Sequence, residues 1–231
     1  MPLTSKAQHK TTHTNMLWEG YYNTINFNKK WSLLNDAQIR TRDWTNQWSQ
    51  ILVRSGLNYK INNHLSLTTG FAFFKNAQYN NKELFLKNEW RPWQEFSYQI
   101  KAGKINCSQR LRTEQRFLQQ IVNNEKTNDY QYIFRLRYRF EFQIPLNENR
   151  FVILAANEVL VNPAYLNNNL FFDQNRTIGG LNWRINFNSA IQFQCIKIYQ
   201  WHSNTSLLDD QNVFRINYIQ QFNFRKSNES K

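Results

Sequence analysis

A strict period of two constrains this chain more than any other feature of its sequence. In "YIFRLRYRFEFQI" (132–144), Phe134, Leu136, Tyr138, Phe140, Phe142 and Ile144 alternate with Arg135, Arg137, Arg139, Glu141 and Gln143. Successive side chains of a strand point to opposite faces, so this segment carries one oily face and one charged face. The pattern recurs in "ILVRSGLNYKI" (51–61), "EWRPWQEFSYQIK" (89–101), "LNWRINF" (181–187) and "FRINYIQQFNF" (214–224), where Phe214, Ile216 and Tyr218 share the oily side. No segment sustains a helical period, so the chain is all-β.

Cut at its polar turns, the alternation predicts eleven strands, near 17–28, 31–44, 48–61, 65–75, 88–101, 105–118, 132–144, 151–161, 174–186, 190–201 and 213–225. The phase slips around Cys195 and Ile196, which suggests a bulge. Short turns at 28–30, 62–64, 102–104, 147–149 and 188–189 alternate with longer polar loops near 76–87, 119–131, 162–173 and 202–212. In an up-and-down meander this puts the tight turns at one end and the long loops at the other. The expected fold is a single antiparallel up-and-down transmembrane β-barrel of ten to twelve strands. Twelve is favoured, with an extra strand within 8–16, because bacterial barrels use even numbers. No linker composition interrupts the chain, so the barrel is assigned to 17–226, between tails at 1–16 and 227–231. In "MPLTSKAQHK", Ser5 and Ala7 stand where a signal peptidase reads small residues, with Gln8 as the first mature residue. The first tail is therefore read as the remnant of a truncated signal peptide.

Alternation alone does not say which face is outside. A soluble barrel buries its oily face; a membrane barrel turns it to lipid. Trp31, Trp44, Trp48, Trp90, Trp93, Trp183 and Trp201 fall near predicted strand ends, where an aromatic girdle sits. Thirteen residues at ~3.3 Å span about 43 Å, or about 33 Å of height at a tilt of roughly 40°, which fits an apolar band of about 25 Å. Phe134, Leu136, Tyr138, Phe140, Phe142, Phe214, Ile216 and Tyr218 are then lipid-facing, and Trp31, Trp44, Trp48, Trp90, Trp183 and Trp201 form the girdle. The opposite face carries Asp36, Arg40, Arg42, Arg54, Glu89, Arg91, Glu95, Lys101, Arg110, Arg112, Glu114, Arg116, Arg135, Arg137, Arg139, Glu141, Glu158, Arg176, Arg184 and Arg215. Arginine's planar fork suits paired carboxylates in a confined space, so these residues are expected to form a charge network within a narrow or plugged lumen.

The segments "NEWRPWQEF" (88–96), "SQRLRTEQRF" (108–117), "ANEVLVN" (156–162) and "FFDQNRTIGGLNWRI" (171–185) resemble the recurring motifs of domain of unknown function 2490. The opening "LWEGYYNTINFNKKWSLLNDAQIR" (17–40) is similar to that family's start. The resemblance covers nearly the whole chain after the first tail. It implies an exported outer-membrane barrel of Bacteroidetes-type bacteria and implies no activity.

Groups able to do chemistry are sparse. His202 beside Ser203 and Ser206 ("WHSNTS") is the one arrangement that fits a lipid hydrolase or deacylase at the barrel rim. A polar loop past a girdle tryptophan is the plainer reading. Glu89, Glu95, Glu114, Glu141 and Glu158 each have an arginine neighbour, which favours structural pairing over acid–base work. Cys107 and Cys195 lack partners at metal-ligand spacing, and "TIGGLN" (177–182) opens no helix, so no metal, cofactor or phosphate loop is expected. The net charge of +13 invites an anionic partner. A soluble nucleic-acid binder needs aromatics and basic residues together, and here they take opposite faces. The reading is a non-enzymatic outer-membrane barrel whose partners are membrane lipids and, as candidate solutes, small anions, with no nucleic acid; oligomeric state is left open.

Overall fold

The computed structural model describes residues 10–80, 83–122, 125–147, 150–165, 171–202 and 207–224. Their strands are β1 (Lys10–Asn26), β2 (Trp31–Arg42), β3 (Gln47–Lys60), β4 (Leu65–Asn80), β5 (Glu83–Ala102) and β6 (Ile105–Val122), followed by β7 (Glu125–Leu146), β8 (Phe151–Val161), β9 (Phe172–Asn186), β10 (Ser189–His202) and β11 (Leu207–Asn223). A 3-10 turn, Pro163–Tyr165, follows β8. Each strand pairs antiparallel with the next in sequence, and β1 and β11 close the cylinder.

The described wall has eleven strands, where twelve were favoured. Lys10–Met16 form no separate strand: they extend β1, pairing in register with Leu207–Val213. With an odd number, first and last strands run the same way, so this one seam is parallel. The segment 10–16 therefore belongs to the wall and not to the tail. Residues 1–9 and 225–231, with the supposed cleavage site and the second tail, lie outside the described residues.

The connections differ from expectation in one respect. The segments around 76–87 and 119–131 are not loops: β4 runs to Asn80, β5 starts at Glu83, β6 runs to Val122 and β7 starts at Glu125. Two long hairpins thus project from the end opposite the tight turns. Hydrophobic alternation reports burial, whereas hairpin pairing needs only backbone hydrogen bonds, so polar extensions escape it. At Cys195 and Ile196 there is no bulge, since pairing to both neighbours is regular there. The apparent slip arises because Ile196 and Ile198 point inward. A real irregularity occurs in β9, where Leu160 faces Gln174 but Val161 faces Phe172. Asp173 is the extra residue.

Outward side chains include Leu57, Phe71, Phe96, Leu111, Tyr138, Phe142, Ile153, Leu181 and Tyr218, all exposed. The inward face is not uniformly charged. Met16, Trp18, Leu154, Ala156, Ile178, Ile196, Ile198 and Val213 form one apolar cluster inside the barrel, and Leu52, Ala72, Phe74 and Trp93 form another. Trp93 is 2% exposed, in the middle of β5, and so is no girdle residue. Its ring lies over Gly56 and Gly70, which pair across β3 and β4.

Candidate functional site

The site is the lumen, built by the inward positions of the strands. Even-numbered residues of β2, β3, β6 and β9 and odd-numbered residues of β5, β7 and β11 point into it. That parity brings charges distant in sequence to one depth. Glu114, 1% exposed, accepts from Arg135 (Nη2, 2.5 Å), Arg137 (Nη1, 2.8 Å) and Arg91 (Nη1, 3.3 Å). Glu158 accepts from Arg137 at 2.8 Å and Arg110 at 2.7 Å, with Arg176 at 3.5 Å. Glu89 holds Arg91 at 2.5 Å and Arg116 at 2.7 Å, and Glu95 holds Arg112 at 2.5 Å and Arg110 at 3.5 Å. These pairs join into one continuous network from Arg116 to Arg112. Asp36 with Arg54 (2.6 Å) and Glu141 with Arg139 stand outside it. The five glutamates considered as acid–base groups are thus all ion-paired with arginine.

The wall formed by β1, β2, β10 and β11 is different in chemistry. Arg40 donates to Gln50 (2.7 Å) and Gln38 (2.8 Å), and its guanidinium stacks 4.0 Å above the Trp18 ring. Arg176 approaches the same ring at 5.8 Å. Arg215 donates to Gln194, while its buried Nε has no partner. Among the described residues, neither Arg40 nor Arg215 makes an ion pair. Both line a cavity of about 640 Å³ that also takes in Tyr22, Gln192, Arg139 and Arg110. A second cavity, about 500 Å³, opens between the long hairpins and is lined by Arg42, Asn76, Lys87 and Gln119; Arg116 borders both.

Besides Arg40 and Arg215, and the separate pairs of Arg54 with Asp36 and of Arg139 with Glu141, two more of the residues assigned to the charge network do not join it. Arg42 is exposed at the end of β2, facing the second cavity, and Arg184 is exposed near the tight-turn end of β9. Among the described residues neither makes an ion pair. Both sit past the closed middle of the barrel, where water solvates a guanidinium without a carboxylate. Phe134, Leu136, Phe140, Phe214 and Ile216, half-buried among neighbours, have outward positions alongside exposed Tyr138, Phe142 and Tyr218. Trp31 and Trp183 lie outward at the tight-turn end, while Trp44, Trp48 and half-buried Trp201 lie toward the other end. Trp90 falls within the longer β5, 4.4 Å from the Phe73 ring.

Sequence reading missed three groups. Asp173 is turned inward by the β9 bulge and accepts from Arg135 at 3.0 Å; a register shift leaves no mark in an alternation count. Trp93 shares its phase with Glu89, Arg91 and Glu95, a signal that could have put it inside, whereas Trp18 shares its phase with Met16 and Gly20 and carries no such mark. His202's side chain and Ser203 and Ser206 lie outside the described residues. No cluster of three or more His, Cys, Asp or Glu able to hold a metal occurs among the described residues, and Cys107 and Cys195 are free thiols.

Together, the closed meander and polar interior define a β-barrel of porin-like fold. The structure of NanC porin in a rhombohedral crystal form matches it with a TM-score of 0.50 at 11% identity, over 87% of this chain and 96% of that one. At that identity the likeness concerns the fold alone. The chain belongs to the family described as protein of unknown function (DUF2490), whose model matches residues 15–212. No curated protein matches it.

Proposed function

We propose that this chain is an integral outer-membrane barrel whose arginine-rich interior binds or passes small anions. The observation that carries the reading is the pair Arg40 and Arg215, cations that line the 640 Å³ cavity with amide partners and no carboxylate. The cavity lining holds eleven arginines against four carboxylates, Asp36, Glu95, Glu141 and Glu158. Such a surplus of positive charge in a confined space attracts anions from solution, and rings of arginine select anions in pores. Membrane placement is supported by the apolar outward face and by tryptophans toward both ends of the wall. NanC, a porin, shares the fold. The apolar clusters and the ion-pair network occupy much of the interior, so the passage is narrow and suited to small solutes.

The test is a planar-bilayer recording of the full chain under a KCl gradient. The reversal potential is expected on the anion-selective side. Arg40→Gln combined with Arg215→Gln is expected to lower the anion-to-cation permeability ratio severalfold while the protein keeps its heat-modifiable migration. Cation selectivity in the native protein, or an unchanged ratio in the double variant, would overturn the reading. So would recovery of the full chain in the soluble fraction without detergent.

A further inference from the structure

The arginines of the lumen are fixed by two kinds of partner. Across β5 to β8 the acceptors are carboxylates: Glu89, Glu95, Glu114 and Glu158. Around β1, three arginines are held by glutamine amides instead. Gln38 and Gln50 accept from Arg40, Gln174 accepts from Arg176 (Nε, 2.9 Å; Nη2, 2.6 Å), and Gln194 accepts from Arg215. Gln38, Gln174 and Gln194 are buried. A glutamine carbonyl orients a guanidinium much as a carboxylate does, yet leaves its charge uncancelled.

These three arginines gather about one residue. Trp18 on β1 lies directly opposite Arg40 of β2 and Arg215 of β11. The Arg40 and Arg176 guanidinium groups stand 4.0 and 5.8 Å from its ring. Trp18 is 3% exposed, and its indole Nε1 has no hydrogen-bond partner among the described residues; nor has the Arg215 Nε. Arg176 does lie 3.5 Å from Glu158, but that carboxylate is held more closely by Arg137 and Arg110. Trp18 and all three arginines line the 640 Å³ cavity, so three held cations and two unused N–H donors meet on one of its walls.

We infer that this cluster is a binding site for a doubly charged oxyanion of the phosphate or sulfate type. The three guanidinium groups repel one another, and a halide offsets only one of their charges. A tetrahedral dianion brings two charges and four oxygens, each able to accept from a separate N–H, which suits donors arriving from β1, β2, β9 and β11. A buried N–H without an acceptor is unfavourable, so the indole Nε1 and the Arg215 Nε also favour a ligand rich in acceptors. The glutamines keep the site open to such a ligand, because a carboxylate at position 194 would neutralise Arg215 from within the wall. The inference rests on the anion reading above and names the kind of anion.

The test is calorimetric titration of the detergent-solubilised full chain with inorganic phosphate at mildly alkaline pH. Saturable binding of one phosphate per chain is expected, with sulfate competing and equimolar chloride failing to displace it. Gln194→Glu, which gives Arg215 a counter-ion of the same shape, is expected to weaken phosphate binding by about tenfold or more. Arg176→Gln, which removes one cation of the cluster, is expected to weaken it in the same direction. Heat-modifiable migration reports that each variant has folded. Glycerol phosphate binding as well as inorganic phosphate would point to esters as ligands, and binding of the inorganic ion alone to the free ion. No saturable binding, displacement by equimolar chloride, or unaltered affinity in both variants would overturn the inference. An anion-selective reversal potential in the same preparation would leave the proposed function standing, and a cation-selective one would remove that as well.

Discussion

Replacing Glu114 with alanine is expected to destabilise the folded barrel by about 3–5 kcal/mol, the range for breaking a buried ion pair from one side. The carboxylate is 1% exposed and bonded to three arginines drawn from two strands, Arg91 on β5 and Arg135 and Arg137 on β7. Removing it leaves three guanidinium groups facing one another in a site that water enters poorly. Glu89 and Glu158 remain, but each already serves other arginines, Arg116 in one case and Arg110 in the other. Glu114→Gln keeps the side-chain shape and one acceptor, so its effect should be smaller and of the same sign. Glu141→Gln is the comparison, because Glu141 pairs with Arg139 alone and is more exposed than Glu114. It is expected to cost about 1 kcal/mol or less. Urea unfolding in lipid vesicles, followed by tryptophan fluorescence, reads the difference as a midpoint. Equal small shifts for Glu114→Ala and Glu141→Gln would mean that the network adds nothing to the wall.

How much of this was legible in the sequence follows from what alternation measures. The run Phe134–Ile144 identified a strand and its two faces because each residue has one orientation and the two environments differ in polarity. The same logic found all eleven strands but clipped the ends of several, because projecting segments such as 125–131 are polar on both sides. Strand number failed at Lys10–Met16 for a related reason: their pairing to β11 is set by distant residues. Inside the lumen, Arg137 and Glu158 could be put on one face, yet nothing local says that Glu158 of β8 meets Arg110 of β6 at 2.7 Å. Asp173 needed a bulge to enter. Asn23, Asn35 and Ser55 are polar residues scattered along the sequence, and only pairing across strands shows that they adjoin.

The second large effect concerns Trp93 and the two glycines beneath it. Trp93→Ala is expected to destabilise by about 3–5 kcal/mol, the range for truncating a buried aromatic, because Leu52, Phe74 and the Arg112 guanidinium 4.4 Å away lose their shared surface. A methyl added at Gly56 would lie 2.5 Å from the Trp93 ring and 3.1 Å from the Thr68 methyl, so the obstacle there is mainly the indole. One added at Gly70 would lie 2.2 Å from the Ser55 carbonyl oxygen as well as 2.6 Å from the ring. Backbone cannot step aside as a side chain can, so Gly56→Ala and Gly70→Ala should both destabilise, by about 1–3 kcal/mol or more, but for different reasons. The double-mutant cycle separates them. With Trp93→Leu in the background, Gly56→Ala should become nearly neutral, whereas Gly70→Ala should remain costly because its clash with Ser55 persists. Unfolding midpoints for the four combinations decide the matter. If Gly70→Ala is rescued as fully as Gly56→Ala, the backbone contact is not what requires glycine at position 70, and Trp93 alone sets the packing of this stretch of the lumen wall.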